Sequence, residues 1–316
     1  MTTNRIAVVE HCRSLLFVLA LVLASTTGSA DDLFPAELTT FEPIASNPVY
    51  TAQGEGHWDV KIRERGWIIR EGDLWRMWFT GYDGTKTGRR LLGYATSRDG
   101  LSWQPHPADP IYKEHWVEDV CVILHDGTLY MFAEGEQDRA QLLTSRDGIA
   151  WQRVGTLDVR LKKTGDPIPD GAYGTPTAWF EDGVWNLFYE RSDRGIWLAR
   201  SRDLKVFTNV QDEPVMSPGP ADHDRDLIAM NQIIKYRDRY YAVIHGTKKN
   251  DDPMQPNLWS TGLATSTDLI RWTKYAGNPL RPVSENKSSG LLIQDGRQFL
   301  LYTMHGKVDV HRPALP

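Results

Sequence analysis

The amino-acid sequence predicts an all-β protein, a five-bladed β-propeller with four antiparallel strands in each blade. The first observation is a repeated phrase, S-x-D-[GL]-x-x-[WF], which begins at Ser97, Ser145, Ser201 and Ser266, with steps of 48, 56 and 65 residues. Repetition at such a period is typical of propellers and other repeat folds. A second hairpin pattern precedes each phrase, and amphipathic helical periodicity is almost absent after the first thirty residues.

The repeated phrase has the composition of a turn between two strands. Each copy follows a short run of strand-forming residues, such as LLGYAT before Ser97, and places Asp or Asp-Gly at the turn. An aromatic residue then opens the next strand. We interpret the serine and the aspartate as turn chemistry and the aromatic as core, so that each copy marks one hairpin of a blade.

The second hairpin has an Asp-Gly turn, or a substitute for it, and an aromatic return strand. Its five copies are WIIREGDLWRMWFTGYDG, VCVILHDGTLYMFAEGE, TAWFEDGVWNLFYERSD, IIKYRDRYYAVIHGT and LLIQDGRQFLLYTMHG. Two hairpins supply the four strands of one blade. The fifth unit, Ser289 to His305, stops after its first hairpin, so we expect a strand within Phe41 to Thr51 to complete that blade and close the ring. A two-sheet sandwich or jelly roll is the alternative, but neither requires such regular pairs of hairpins.

The first thirty residues are typical of a secretory signal peptide. Arg5 and Arg13 supply positive charge, Leu15 to Ala24 is an apolar run, and Gly28-Ser29-Ala30 offers small residues for cleavage. The apolar run is too short for a permanent membrane anchor. We therefore expect residues 31–316 to form one exported catalytic domain, secreted or periplasmic, that does not insert into a membrane after cleavage.

Charge and cysteine content exclude several classes of function. The sequence has a formal net charge of −5, and mild acidity disfavours binding to nucleic acid or to an anionic membrane. Cys121 is the one cysteine after residue 30, so an internal disulfide is excluded and stability must come from core burial. We expect a monomer with a carbohydrate as its partner.

Acidic side chains concentrate where a propeller would bring them to one mouth of its central funnel. These places are the starts of the inner strands and the ends of the second strands. Glycoside hydrolysis needs one carboxyl group that protonates the leaving oxygen and another that activates water or attacks the anomeric carbon. The candidate catalytic residues are Asp59, Glu64, Glu118, Asp119 and Glu190. The candidate substrate-binding residues are Trp58, Arg63, Trp116, Glu134, Tyr173, Asp226 and His245.

Each of these residues also has an ordinary structural interpretation, as a solvated turn residue, a strand entry or the partner of a nearby arginine. The run Asp222-His223-Asp224-Arg225-Asp226 is similar to a metal loop but lacks EF-hand or zinc spacing. Solvation or a salt bridge of Arg225 is favoured there over a structural cation such as calcium. We therefore assign neither a metal nor a cofactor from the sequence.

Three of the phrases carry a resemblance to a known group of enzymes: WDVKIRERGWIIREGDLWRMWFTGYDG, HWVEDVCVILHDGTLYMFAEGE and GTPTAWFEDGVWNLFYERSDRGIWLARSRDL. They resemble the five-bladed β-propeller glycoside hydrolases, that is, glycoside hydrolase family 43 and its relatives in families 32, 62, 68, 117 and 130. The resemblance covers about Phe41 to Arg312. It implies that Asp59 corresponds to the first-blade base or nucleophile, with Glu64 the less favoured occupant, and that Glu118-Asp119 corresponds to an acidic pair that opens a blade.

The sequence also departs from that group. Glu64-Arg65-Gly66 stands where an Asp-Pro is familiar, and the third blade opens with Gly174-Thr175-Pro176, which contains no candidate general acid. Glu190, Glu134 and His245 are the alternatives for the proton donor, and Glu190 is our choice.

The leading hypothesis is an exported glycoside hydrolase that acts on a poly- or oligosaccharide. A non-catalytic carbohydrate-binding propeller and a polysaccharide lyase that uses His245 are the alternatives. A sialidase is disfavoured, because sialidases have six blades and a different spacing in their Asp-box.

Overall fold

The computed structural model describes residues 33–63 and 65–314, and it is nearly all strand. The predicted signal peptide and Glu64 lie outside the described residues. One short helix, α1 (Ala36–Thr39), precedes the first strand. Among the described residues, no helix has the length and apolar character that crossing a membrane requires.

Five small sheets form the five blades, which confirms the predicted fold. The first strand, β1 (Phe41–Pro43), belongs to the last blade. Blade I contains β2 (Lys61–Ile62), β3 (Trp67–Glu71), β4 (Leu74–Tyr82), β5 (Leu91–Ser97) and β6 (Gln104–Pro105). Blade II contains β7 (Glu118–His125), β8 (Thr128–Gly135), β9 (Arg139–Ser145) and β10 (Gln152–Thr156). Blade III contains β11 (Asp158–Arg160), β12 (Thr177–Glu181), β13 (Val184–Glu190), β14 (Ile196–Ser201) and β15 (Val206–Asn209).

Blade IV contains β16 (Leu227–Tyr236), β17 (Arg239–Thr247), β18 (Ser260–Ser266) and β19 (Thr273–Lys274), and blade V contains β20 (Gly290–Asp295), β21 (Gln298–Met304) and β22 (Val308–Pro313). Two blades depart from four simple strands. In blade I both β2 and β3 pair with β4, and in blade III β11 adds a parallel strand to the outer edge at β15. The inner strands β3, β7, β12, β16 and β20 contact one another in a closed ring around the axis.

The aromatic return strands pack the core between neighbouring blades. Trp78 of β4 is fully buried and meets Trp151 of the second blade edge to face, with ring centroids 6.1 Å apart. Its indole N–H donates to the carbonyl oxygen of Gly148 at 2.8 Å, so the ring is fixed by a polar contact as well as by packing. Burying one such side chain contributes about 1.5–3 kcal/mol. The aromatic residues that recur in the hairpins thus pack neighbouring blades against each other.

The four S-x-D turns have the predicted chemistry. In the first copy, Ser97 Oγ accepts a hydrogen bond from the N–H of Gly100 at 2.9 Å, and Asp99 Oδ1 accepts from the N–H groups of Ser102 and Leu101 at 2.7 and 2.8 Å. The bond from Ser102 is the main cause that lowers the pKa of Asp99 to about 2. Because Ser97 pairs with Trp75 near the start of β4, these turns lie at the opposite end of the blade from the carboxylates at the ends of the second strands.

The predicted closure of the ring is confirmed, with one correction. Strand β1 pairs antiparallel with β22, and a further bridge joins Tyr50 to Val308. The N-terminal strand therefore completes the last blade. The prediction that the fifth unit stops after its first hairpin is wrong. Strand β22 follows that hairpin as a third strand of the blade, and the sequence analysis missed it because no S-x-D phrase precedes it.

Candidate functional site

A cavity of about 320 Å³ opens at the mouth of the funnel. It is lined by Arg63, Asp119, Glu134, Asp138, Ala172, Thr175, Glu190, Ser192, Asp193, His245 and Trp259. Blades I to IV all contribute to this lining, and five of its side chains are carboxylates. The structure therefore brings five residues of the sequence prediction together: Arg63, Asp119, Glu134, Glu190 and His245.

Asp119 lies at an irregularity near the start of β7. The pairing with β8 shifts register between Glu118 and Cys121, and Asp119 has a φ of 51°, a conformation that non-glycine residues rarely adopt. Thr175, with a φ of 45°, donates from its hydroxyl to Asp119 Oδ2 at 3.2 Å. Strained backbone of this kind is often found where a side chain must be aimed at a functional site.

Glu134 is the penultimate residue of β8 and is almost completely buried. Its Oε2 accepts a hydrogen bond from the N–H of Thr175 at 2.9 Å. Burial, followed by the negative charges of Asp119 and Glu118, raises the pKa of Glu134 well above its usual range. The environment therefore favours the protonated form of this carboxyl group.

Glu190 is the last residue of β13, at the same end of its blade. Its Oε1 accepts from the N–H of Gly174 at 3.1 Å, and its Oε2 accepts from the N–H of Asp193. Burial raises the pKa of Glu190, and these two backbone hydrogen bonds oppose that shift. Both oxygens of this carboxyl group are thus held by the backbone.

Gly174 separates the two glutamates and has no room for a side chain. A Cβ atom there would overlap Glu134 Oε2 and lie 3.0 Å from Glu190 Oε1. The Gly174-Thr175-Pro176 segment itself contains no candidate general acid. Its backbone instead positions the neighbouring carboxylates. Glycine is required here for the close approach of backbone and side chains.

Glu118 lies behind the cavity rather than in its lining. It accepts hydrogen bonds from Arg63 Nε at 3.0 Å and from Trp116 Nε1 at 2.9 Å, and Arg90 Nε lies 3.4 Å away. One oxygen each from Glu118, Glu134 and Asp138 come within 4.8 Å of one another, a spacing that could hold a metal ion. Since two arginines already balance Glu118, we assign no metal to this group.

The opposite wall is formed by His245 and Trp259. His245 Nδ1 lies 2.6 Å from Asn231 Oδ1, and its ring meets Trp259 edge to face at a centroid distance of 5.1 Å. Trp259 offers the cavity an apolar ring, the kind of surface against which a sugar face can stack. The sequence analysis missed it because it lies in the segment before β18, outside every repeated phrase.

The expected place of Asp59 and Trp58 at the funnel mouth is corrected by the structure. Asp59 is 0% exposed, and its Oδ2 accepts from the N–H of Gln53 at 3.2 Å. Trp58 packs on Phe79 with ring centroids 5.9 Å apart. Pairing with β4 begins only at Lys61 of β2, and before it Tyr50 and Trp58 pack on Phe79 of β4, so that residues 50–59 cross the face of blade I. Neither side chain lines the cavity.

Three further candidates also lie elsewhere. Tyr173 is buried and donates from its hydroxyl to the carbonyl oxygen of Leu157 at 3.0 Å. Trp116 lines a neighbouring cavity of about 210 Å³. Asp226 accepts from the N–H of Lys249 at 2.8 Å.

Two other regions bear on the choice of site. In the 222–226 run, Arg225 forms the expected ion pair with Asp222. A larger cavity of about 450 Å³ opens between blades III and IV near the S-x-D turns, but its Glu181 is already bound by Lys235 and Tyr240. It contains none of the funnel carboxylates, so we place the candidate site in the funnel.

No family model matches the chain. Two uncharacterized proteins of Mycobacterium tuberculosis are 31% and 30% identical to it over 101 residues. The aligned part is 28% of this chain and 33% of each relative, so the chain spans about a third of the curated relatives it matches.

Solved structures share the architecture over nearly the whole chain. A candidate glycoside hydrolase from Parabacteroides distasonis has a TM-score of 0.72 at 16% identity, covering 88% of this chain and 97% of that one. A glycosyl hydrolase from Bacteroides ovatus has a TM-score of 0.68 at 17% identity, covering 87% and 94%. The β-1,2-mannobiose phosphorylase of Listeria innocua has a TM-score of 0.65 at 14% identity, covering 86% and 95%. This likeness confirms, at the level of the fold, the predicted resemblance to five-bladed carbohydrate-enzyme propellers.

Proposed function

We propose that the protein is a glycoside hydrolase that cleaves glycosidic bonds of a poly- or oligosaccharide in the funnel. One observation carries this proposal: Asp119, Glu134 and Glu190 converge on a single open cavity, where burial raises the pKa of the two glutamates while Asp119 is only half-buried. Separate environments are what allow one carboxyl group to hold a proton while another stays ionised. The similarity in fold to glycoside hydrolases and a phosphorylase supports the same chemistry.

Asp119 is our choice for the base or nucleophile. It is only half-buried, it faces the cavity, and it accepts a hydrogen bond from the hydroxyl of Thr175. From this position it would activate a water molecule or attack the anomeric carbon. Glu118, held by arginines, would support the same wall.

Glu134 is our choice for the proton donor, in place of Glu190. Thr175 holds only Oε2 of Glu134, and burial among negative charges favours its protonated form. Glu190 also has a raised pKa, but both of its oxygens already accept backbone N–H bonds. In this scheme Glu190 orients sugar hydroxyl groups, and Trp259 supports one face of the ring.

Phosphorolysis is the second candidate function. Arg63 and His245 both line the cavity beside the carboxylates, and such side chains could bind an attacking phosphate. One of the structures with this fold is a phosphorylase. Hydrolysis and phosphorolysis differ only in whether water or phosphate attacks the anomeric carbon.

A substrate screen tests these proposals. The purified protein is incubated with aryl glycosides and with plant, algal and fungal polysaccharides, with and without inorganic phosphate, and the products are identified by mass spectrometry. Free reducing sugar supports hydrolysis, and a sugar 1-phosphate formed only with phosphate supports phosphorolysis. Unsaturated products would indicate a lyase, while binding without turnover would indicate a carbohydrate-binding module.

We further propose that the protein is exported. The N-terminal thirty residues support this, since they have the charged, apolar and small-residue regions of a signal peptide. N-terminal sequencing of protein recovered outside the cytoplasm should give a start near Asp31. Recovery of the full-length chain from the cytoplasm alone would contradict export.

A further inference from the structure

Arg65 occupies an unusual place on the axis of the propeller. It lies between β2 and β3, its side chain is 0% exposed, and its φ is 59°. The adjacent Gly66 fits tightly: a Cβ there would lie 2.6 Å from the carbonyl oxygen of Trp78. A fully buried arginine in strained backbone is costly, so a specific reason for its presence is required.

Arg65 makes hydrogen bonds to all four of the other blades. Its N–H donates to the carbonyl oxygen of Met304 at 3.1 Å, and its own carbonyl oxygen accepts from the N–H of Val120 at 3.2 Å. Its Nη2 donates to the carbonyl oxygen of Pro176 at 2.6 Å, to Thr177 Oγ1, and to the carbonyl oxygen of Asn231 at 3.5 Å. This residue therefore fixes the blades relative to one another beneath the funnel.

The acceptors of Nη2 belong to the segments that orient the candidate site. Pro176 directly follows Thr175, which holds both Asp119 and Glu134. Asn231 contacts His245 through its side chain while its carbonyl oxygen accepts from Arg65. The guanidinium thus connects the two walls of the cavity by way of the backbone behind them.

The positive charge of Arg65 also lies close to the funnel acids. Burial lowers the pKa of Arg65, and the negative charge of Asp119, followed by those of Glu134 and Glu190, opposes that change. Asp119 gives the largest of these opposing contributions. Within the described residues, Nε and Nη1 have no hydrogen-bond partner, so part of the compensation for the buried charge acts through space.

We propose that Arg65 is a positioning residue of the funnel site, which fixes the segments carrying Thr175 and Asn231 and supplies a positive counter-charge to Asp119. This inference rests on the proposed function for its kinetic consequence, but its electrostatic part concerns the folded protein alone. The charge and the forked geometry of the guanidinium have separate roles. The charge balances the carboxylate of Asp119, and the forked guanidinium holds the two walls of the cavity in position.

Three variants separate these roles: Arg65→Met, Arg65→Lys and the control Arg70→Met. Arg70 is an arginine of the same blade that pairs with Asp295, far from the funnel acids. In Arg65→Met, the acidic limb of the pH profile of kcat/KM should move upward by about 1 pH unit or more, as expected when a charge close to a carboxylate is lost. In Arg65→Lys the limb should stay near its wild-type position while kcat falls at least about tenfold through misplacement. Arg70→Met should keep the wild-type profile.

A double-mutant cycle on folding tests the charge without any substrate. Arg65→Met, Asp119→Asn and the double variant are unfolded with denaturant at pH 7. The loss of stability caused by Arg65→Met should be smaller in the Asp119→Asn background, since the unpaired negative charge is then absent. If Arg65→Met alone does not fold, recovery of folding in the double variant is the supporting result.

The outcomes separate this inference from the proposed function. Additive effects in the cycle, or failure of the double variant to fold, would overturn the pairing of Arg65 with Asp119. An unmoved pH limb in an active Arg65→Met enzyme would overturn it also, with the proposed function intact. If the stability effects of the two substitutions are not additive but the protein processes no carbohydrate, Arg65 is supported as the counter-charge to Asp119. The proposed enzymatic function is then rejected.

Discussion

Two groups of acids in this molecule each contain carboxyl groups with a raised pKa, but the groups differ in their access to a cavity. The funnel acids, Asp119, Glu134 and Glu190, line an open cavity. The seam pair, Asp59 and Asp109, lies where residues 50–59 cross blade I. Burial raises the pKa of Glu134 and Glu190 and also of Asp59 and Asp109, the last to about 7. A raised pKa therefore identifies buried acids, and only access to a cavity distinguishes those that can act on a substrate.

The partners of the two groups differ as well. In the funnel, Thr175 and Gly174 donate N–H bonds to the glutamates, and Arg65 supplies positive charge. At the seam, Asp59 Oδ1 and Asp109 Oδ2 are buried without a hydrogen-bond partner among the described residues. Each carboxyl group of the seam pair accepts a backbone N–H bond on its other oxygen, so its ionisation is only partly compensated. The remaining cost falls on the closure of the ring beside Tyr50 and its bridge to Val308.

The largest expected effect is on catalysis. Asp119→Asn and Glu134→Gln should each lower turnover by about 10²–10⁴-fold, the usual contribution of a positioned proton-transfer group. Glu134→Gln should lose much less on aryl glycosides with a good leaving group, which need no protonation, while Asp119→Asn should lose activity on both. Steady-state turnover of each variant is measured on an oligosaccharide and on an aryl glycoside with a good leaving group.

Asp59→Asn is the matched control at the seam and should keep near wild-type turnover. Should Asp59→Asn instead lose as much activity as Asp119→Asn, the distinction between the two groups would fail. The first-blade role that the resemblance implied for Asp59 would then be restored.

A smaller effect is expected from Gly174→Ala. The added Cβ would overlap Glu134 Oε2 and crowd Glu190, so both carboxyl groups must shift. A displacement near 1 Å can cost about 10²-fold in rate. Turnover should therefore fall by about 10–10²-fold while the thermal midpoint changes little, because side-chain ends rather than backbone atoms must move. Wild-type kinetics in this variant would show that the spacing of the glutamates is not critical.

The features that repeat along the chain could be predicted from the sequence, and the features that occur only once could not. Hairpins at equivalent offsets placed Glu134, Glu190 and His245 correctly at the strand ends that meet in the funnel. Asp59 was misplaced because its position depends on how a non-repeated N-terminal segment crosses blade I. Arg65 and Trp259 have no counterpart in the other units, so their roles arise only from contacts between blades. Gly174 was read as a departure from a pattern, and its function depends on side chains 40 and 16 residues away in the chain.

The seam pair predicts a pH dependence of stability. Both carboxyl groups bind a proton more tightly in the folded protein than in the unfolded chain, where the pKa of an aspartate is about 3.9. The free energy of unfolding should therefore fall as pH rises from about 4 toward the folded-state pKa, about 7 for Asp109. Asp109→Asn should raise the thermal midpoint at pH 8 by about 2 °C or more and have little effect near pH 4.

The exposed Asp166 provides the control for that measurement. Asp166→Asn should leave the pH dependence of the melting temperature unchanged. Equal melting shifts for Asp109→Asn at both pH values would mean that charge at the seam is not the cause.

The smallest effect concerns Cys121, an ionisable group that belongs to neither acid group. It is fully buried next to blade III, with its sulfur 3.4 Å from the N–H of Ala178, and burial raises its pKa to about 11. Both the lack of access and the low thiolate fraction oppose reaction, so a thiol reagent at neutral pH should label the native protein no faster than it unfolds. Cys121→Ser should lower stability, because a hydroxyl replaces a sulfur in an apolar site, and leave turnover largely intact. Rapid labelling of the folded chain would place this thiol on an accessible surface and contradict the packing between blades II and III.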